Sequence, residues 1–391
     1  MVLKFLGFGR SKKHSSSSKK PCPTVIEELC TRFSLADLEK ATNNFDEKNV
    51  IGQGAFCKVY KGYLKIDHVA TAVAVKRRGI LLRQQGEEPF KMETKLLCQL
   101  RHPNLITLIG FCFDDDEKII VYEYMSNGSL TDRVLSKDAR EPLSWKTRLE
   151  ICIGAARAVH YIHSGLKRTI IHRRVNPSNI LLDDNMVPKL SDFGISIQGQ
   201  LFTEKPKPIE GKPPAGTFGY MPPEGLSQEI LTDKFDVYSF GVVLLEVVCA
   251  KRLGRFIYET SDCEEIETSN NGSESPSHIT DNGSESPSHI TDHGSESPSH
   301  ITDHGSESPY HITDHHITDH IMLKLQAEEI DPALVGNIAP ECYAVYIDII
   351  DRCLKHEPDE RPTMGEVEVL LEHALTLQLV EDARDTSDDY L

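Results

Sequence analysis

The run Ile51-Gly52-Gln53-Gly54-Ala55-Phe56-Cys57-Lys58-Val59 sets Gly52 and Gly54 in a stretch that reads as short strands around a turn. Glycine has no Cβ, so backbone amides at such a turn can approach an anion closely, and phosphate is the anion they suit. Val73-Ala74-Val75-Lys76 follows on a strand, and Glu93 lies in the next helical pattern, where it could pair with Lys76. Each feature alone is weak. Any turn can hold two glycines, and a lone Lys or Glu is normally a solvated charge. Their order and spacing carry the signal.

The later motifs strengthen it. Val73-Ala74-Val75-Lys76 resembles V-A-I-K, whose lysine holds the α- and β-phosphates of a nucleotide. His172-Arg173-Arg174-Val175-Asn176-Pro177-Ser178-Asn179 occupies the place of H-R-D-L-x-x-x-N, and Ser191-Asp192-Phe193-Gly194 supplies D-F-G. Pro222-Pro223-Glu224 stands where A-P-E closes an activation segment, Asp236 begins an apolar run, and Arg361 lies near the end. The chain therefore resembles a bilobal protein kinase, an α+β fold with a small β-rich N-lobe and a larger helical C-lobe.

A narrower family is legible as well. Phe33-Ser34-Leu35-Ala36-Asp37-Leu38-Glu39-Lys40-Ala41-Thr42-Asn43-Asn44-Phe45 resembles the leading segment of plant receptor-like kinases. Val121-Tyr122-Glu123-Tyr124-Met125-Ser126-Asn127-Gly128-Ser129-Leu130 resembles their hinge, and Arg352-Cys353-Leu354 with Pro358-Asp359-Glu360-Arg361-Pro362-Thr363-Met364 resembles their C-terminal lobe. Within that group the chain looks closest to the FERONIA-like branch. Those receptors carry an ectodomain and a membrane span, which this sequence does not display, so it resembles a receptor-like cytoplasmic kinase. The resemblance covers about 33–250 and 322–378.

That resemblance implies ATP and Mg2+ as cofactors, with Gly52 and Gly54 over the phosphates and Lys76 and Glu93 as an ion pair. Val59, Ala74 and Leu181 would sandwich adenine. Tyr122 would be the gatekeeper, with the backbone from Glu123 to Met125 meeting the adenine edge. Asn179 and Asp192 would hold Mg2+, which prefers oxygen ligands. His172, Phe193 and Leu97 would complete an apolar stack. It also implies an active receptor-like kinase or another signalling protein as partner.

The departures from the pattern bear on mechanism. Kinases use an Asp to accept or orient the proton of the substrate hydroxyl, and here Arg174 takes its place. An arginine stays protonated at neutral pH and is no base, and loss of a general base costs about 10²–10⁴ in rate. The catalytic-loop Lys two positions later is Asn176, and the third glycine of the phosphate loop is Cys57. Arg174 could mimic the lost lysine cation but could not also supply the base. The activation segment carries Thr203, Thr217, Lys205, Lys207 and Lys212, and Arg173 could pair with a phosphate there. Thr217 matches a threonine that normally bonds the missing Asp. The sequence thus predicts an ATP-binding pseudokinase acting as partner or scaffold of an active receptor kinase. One alternative is an active Ser/Thr kinase that passes the ATP γ-phosphate to protein hydroxyls; another is a scaffold whose acidic repeat is the working part.

The elements that must hold these residues follow from patterning. Residues 48–76 read as short strands, with 69–75 β-rich and mostly apolar. Helices are predicted over 86–100, 145–164, 237–248, 347–354 and 364–379. The 237–248 run is apolar nearly all round, which suits a buried core helix. The expected organisation is a basic flexible arm at 1–30, an N-lobe and hinge at 31–126, and the first part of a C-lobe at 127–258. A disordered insert at 259–321, the last C-lobe helices at 322–378 and an acidic tail at 379–391 complete it.

Charge and composition set the outer bounds. The 391 residues hold 43 Lys and Arg against 60 Asp and Glu, a net charge of −17, which argues against a nucleic-acid binder. Fourteen of the acids lie in 259–321, which has no Lys or Arg, so the remaining chain is close to neutral. There an 11-residue unit, Asn-Gly-Ser-Glu-Ser-Pro-Ser-His-Ile-Thr-Asp, starts at Asn271 and recurs with small changes. One Ile per unit cannot bury a core, so the segment reads as disordered. Ser275, Ser286, Ser297 and Ser308 each precede Pro and are candidate phosphosites, while the histidine spacing fixes no metal geometry. Ten Cys without a C-x-x-C pair suggest neither a disulfide scaffold nor a zinc site. No signal peptide opens the sequence and no uncharged run reaches the length of a membrane span, so a cytoplasmic protein with reduced thiols is expected. The basic arm 1–20, with its apolar start, could make weak peripheral contact with the inner face of the plasma membrane.

Overall fold

Strand periodicity decides which side chains reach the central cleft. In the computed structural model, which describes residues 29–54, 57–79, 87–114, 117–136, 141–201, 208–211, 214–227, 230–252 and 330–388, the N-terminal half is built on a six-stranded sheet. Its strands are β1 (Thr31–Arg32), β2 (Val50–Gly54), β3 (Cys57–Ile66), β4 (Val69–Arg78), β5 (Leu108–Phe113) and β6 (Lys118–Glu123), in the order β1-β5-β6-β4-β3-β2. Successive residues of a strand face opposite sides. In β4, Val73 and Val75 therefore enter an apolar cluster with Leu38, Tyr60 and Leu64, and Ala74 and Lys76 face the other way. The antiparallel register sets Val59 opposite Lys76 and Lys61 opposite Ala74.

A leading segment covers the outer face of this sheet. Ser34 caps α1 (Leu35–Ala41) through a capping box: its Oγ accepts from Asp37 N, and Asp37 Oδ2 accepts from Ser34 N at 3.3 Å. Leu38 is fully buried beneath it. Just before, β1 pairs in parallel with β5, Thr31 opposite Gly110. A Cβ on Gly110 would lie 2.3 Å from the Thr31 carbonyl oxygen, so the close approach of β1 requires glycine there.

α2 (Glu87–Leu97) packs on the other face of the sheet, with Phe90 stacked on Phe113 at 5.6 Å between ring centroids. It ends three residues short of the predicted 86–100. The chain turns through Cys98 to Leu100 ahead of His102-Pro103, and a residue before proline is pushed out of helical geometry.

The C-terminal half is helical. Ser144 caps α3 (Trp145–Ser164), whose bounds match the predicted helix, through Thr147 N at 3.2 Å. α4 (Lys234–Cys249) is buried on every side, as its apolar run predicts. α5 (Pro340–Cys353) begins seven residues before the predicted 347–354, because Pro340 sits in the first turn, where its missing N–H has no partner to lose. α6 (Met364–Asp388) carries the predicted 364–379 helix on through the acidic end of the chain. Gln378 fixes this continuation: its side chain accepts from Ala339 N at 2.9 Å and donates to the Asn337 carbonyl at 3.2 Å. Two small antiparallel pairs complete this half, β7 (Arg168–Ile171) with β10 (Ile197–Leu201) and β8 (Ile180–Leu182) with β9 (Pro188–Leu190).

This is the mixed α+β kinase architecture expected, a β-sheet N-lobe and a helical C-lobe. Among the described residues every cysteine is a free thiol, and no helix is long and apolar enough to cross a membrane. The basic arm, the acidic repeat, its Ser-Pro sites and histidines, and Thr203, Lys205, Lys207 and Lys212 lie outside the described residues.

Candidate active site

The cleft between the lobes encloses a cavity of about 1070 Å³. Gly52, Gly54 and Val59 form its β2–β3 side, Ala74 and Leu181 face it from opposite lobes, and Glu123 and Met125 line the hinge end. Lys76, Glu93, Asn179, Asp192 and Arg174 line it deeper in. Asn176 is not part of this lining, and neither are Leu97, His172, Arg173, Phe193 and Thr217.

Lys76 sits at the electrostatic centre. Its Nζ donates to Glu93 Oε2 at 2.9 Å and Oε1 at 3.2 Å, and to Asp192 Oδ1 at 2.7 Å. Burial disfavours its charge, but the carboxylates of Asp192 and Glu93 outweigh burial and raise its pKa. Glu93 is wholly buried on α2, so the pair ties that helix to β4. Tyr122, at the predicted gatekeeper position, is buried behind them with no hydrogen-bond partner for its hydroxyl among the described residues. Burial and the nearby charge of Glu93 push that hydroxyl well above its usual range.

The sequence did not anticipate where Arg174 goes. Its Nη1 donates to Asp192 Oδ2, so each oxygen of Asp192 is held by a cation, Lys76 on one and Arg174 on the other. Burial alone would raise the Asp192 pKa; the charges of Lys76 and then Arg174 hold it far below the usual carboxylate range. Asp192 adopts φ +67 and Arg173 φ +69, conformations that non-glycine residues take rarely and that cluster at functional sites.

The loop carrying Arg174 is fixed from several sides. Asp236, at the start of α4, accepts the backbone N–H groups of His172 and Arg173, each at 2.7 Å, and contacts His163 Nε2 at 2.9 Å. His172 stacks edge-on against Phe193 at 4.6 Å between ring centroids, as expected for the apolar stack. Leu97 is buried in the same core cluster. Asn176 caps the turn Pro177–Asn179, its Oδ1 accepting from Ser178 N at 3.0 Å and Asn179 N at 3.2 Å. Its Nδ2 donates to Thr217 Oγ1 at 3.1 Å, which gives Thr217 a partner in place of the missing Asp. Asn179 Nδ2 donates to the Arg174 carbonyl at 2.8 Å. Arg173, expected to meet a phosphate in the activation segment, is buried and donates from Nε to the Ala215 carbonyl at 3.1 Å.

Other contacts escaped the sequence reading. Lys189 Nζ lies 3.0 Å from Glu123 Oε1 and braces the hinge against β9. Arg78 lines the cavity although no motif names it. Glu224 and Arg361, each named from its own motif but not paired there, form a bidentate pair, with Nη1–Oε1 at 2.6 Å and Nη2–Oε2 at 2.9 Å.

Comparison with known proteins agrees with this architecture. Residues 45–282 match the family described as protein tyrosine and serine/threonine kinase. Among curated relatives, a "Probable receptor-like protein kinase" of Arabidopsis thaliana is 45% identical over 96% of this chain and 36% of its own length. Receptor-like protein kinase FERONIA of the same plant is 38% identical over 93% of this chain and 35% of its own length. Receptor-like protein kinase ANXUR2, also from Arabidopsis thaliana, is 40% identical over 90% of this chain and 35% of its own length. The chain thus spans about a third of the length of the curated relatives it matches. With the two-lobed fold, the cleft and the ordered motifs, these matches show that the chain belongs to the protein tyrosine and serine/threonine kinase family, on its FERONIA-like receptor-like kinase branch.

Proposed function

We propose that the chain is a pseudokinase of plant receptor-like kinase signalling, which holds ATP in the cleft and docks onto an active receptor-like kinase as its partner or scaffold. The observation that carries this reading is the ion pair of Arg174 with Asp192. Position 174 should present a carboxylate to the substrate hydroxyl, and it presents a guanidinium that cannot take a proton. The same guanidinium is drawn onto Asp192, so a cation stands in the cleft beside the D-F-G carboxylate. The nucleotide-binding parts favour retention of ATP: the Lys76–Glu93 pair is formed, and Val59, Ala74 and Leu181 line one cavity with the hinge. Action in the cytoplasm, with the basic arm at the inner face of the plasma membrane, belongs to the same proposal.

The second reading, a weak Ser/Thr kinase, is favoured by the formed Lys76–Glu93 pair and by the stacked His172 and Phe193. Transfer of γ-phosphate from labelled ATP, measured for native protein beside Arg174→Asp and Lys76→Ala, separates the two. A pseudokinase incorporates no label as native protein and gains incorporation with Arg174→Asp. Incorporation by native protein that survives Arg174→Ala and disappears with Lys76→Ala establishes an enzyme and overturns the proposal.

A further inference from the structure

We infer that the cleft binds its nucleotide without a divalent cation, the guanidinium of Arg174 standing where the family places a metal; this rests on the ATP-binding reading above. Mg2+ demands near-octahedral oxygen ligands and is bound in kinases through the D-F-G aspartate and the catalytic-loop asparagine. Asp192 does not offer that site. One oxygen receives Lys76 at 2.7 Å and the other receives Arg174, so a dication there would have to displace a guanidinium or sit in contact with two cations. Asn179 Nδ2 bonds the Arg174 carbonyl at 2.8 Å, so Asn179 could offer a metal only its neutral amide oxygen, with no charge to offset the two cations on Asp192.

Charge leads to the same place. The formal charges of Lys76, Glu93, Arg174 and Asp192 cancel, and a carboxylate at 174 would leave this group two units more negative, which is the charge one Mg2+ supplies. Arg174 bonds Asp192 through Nη1, while its side chain, 39% exposed, lines the cavity. A guanidinium carries five donors in a planar fork suited to phosphate oxygens, so one bond to Asp192 leaves others for a nucleotide. Arg78 lines the same cavity, and its buried Nε has no partner among the described residues, which gives the phosphates a second guanidinium.

The test is calorimetric titration of the full chain with ATP, once in excess EDTA and once in millimolar MgCl2. The dissociation constants of native protein should agree within about threefold. Arg174→Ala should weaken ATP binding in EDTA by about tenfold or more, and Arg174→Lys, which keeps the cation, by less. Arg174→Asp should bind ATP only when MgCl2 is present. Native binding that appears only with MgCl2, or tightens by about tenfold with it, overturns the metal-free inference and leaves ATP binding standing. Absence of ATP binding in both media overturns the ATP-binding reading, and this inference with it.

Discussion

Asn176 Nδ2 donates to Thr217 Oγ1 at 3.1 Å, and this bond links the catalytic loop to the end of the activation segment. The family pattern gives Thr217 a carboxylate partner at 174. Here the bond comes from 176, two positions on, while Arg174 turns to Asp192. The two departures therefore act together: one removes a partner from Thr217 and the other restores it. Asn176 also caps a turn and donates to the Arg174 carbonyl at 3.1 Å.

Truncating Asn176 should therefore destabilise the helical lobe. Asn176→Ala removes a cap worth about 0.5–2 kcal/mol and leaves the part-buried hydroxyl of Thr217 without this partner. Urea unfolding followed by the single tryptophan, Trp145, which is buried against Tyr346 in that lobe, should show a loss of about 2 kcal/mol. Asn176→Lys should lose a similar amount, because an ammonium has no acceptor for Ser178 N and Asn179 N. An unchanged midpoint in both variants would mean that water replaces these bonds at no cost.

Stability should also fall as pH drops below about 6.5, through His172. Its Nε2 is 3.0 Å from the Ser191 carbonyl and its Nδ1 is 3.2 Å from Arg174 N, so the neutral ring, protonated on Nε2, fits both contacts. Burial lowers its pKa from the ordinary 6.5 against the pull of Asp236 and Asp192. In the acid range the unfolded chain then binds the extra proton first, and stability falls by up to about 1.4 kcal/mol per pH unit until the folded pKa is reached. His102, also lowered by burial, adds to the decline. Asp236 acts lower still. Burial would raise it, but the hydrogen bond and charge of His163 and the charge of His172 hold it down, so its contribution is lost as pH falls below the ordinary 3.8. Unfolding midpoints across acid pH should fall less steeply for His172→Phe than for the native chain; parallel curves would remove His172 from the account.

The sequence made the lobes and most of the cleft legible, because ordered motifs fix residues on elements whose periodicity is strong. Val73 to Lys76 alternate in and out of the sheet, and α4 is apolar all round, so both could be read locally. The pairing of Arg174 with Asp192 could not. It joins residues 18 apart through a long side chain whose direction depends on which carboxylate lies within reach. In the sequence Asn176 marks only a lost cation, whereas its work is to cap a turn and bond a threonine 41 residues away. Helix ends are not legible locally where tertiary bonds help decide them, as with Gln378, which ties α6 to the start of α5.

Glu224 should matter for folding whether or not the chain transfers phosphate. The Arg361 side chain is wholly buried, and its charge is met by Glu224. Glu224→Ala leaves that charge uncompensated, which typically costs about 3–5 kcal/mol, and Glu224→Gln should cost less because an amide oxygen can still accept. Urea midpoints read at Trp145 check both values. A loss below about 1 kcal/mol for Glu224→Ala would show that the carbonyls of Lys234, Lys355 and His356, which also accept from Arg361, satisfy it without the carboxylate.

The Lys76–Glu93 pair makes the last prediction, since it separates a structural role from a nucleotide-binding one. Glu93 is fully buried, so Lys76→Met strands a carboxylate and should cost about 3–5 kcal/mol. Asp192 should suffer less, because Arg174 remains on its other oxygen. Adding Glu93→Gln to Lys76→Met removes the stranded charge and should recover much of the loss, giving an interaction energy of about 1.5–3 kcal/mol in a double-mutant cycle. ATP binding should not return with it, since the cation at the electrostatic centre of the cleft is still missing. Recovery of stability without recovery of binding assigns Lys76 both roles; recovery of both would mean that Arg174 and Arg78 hold the phosphates without it.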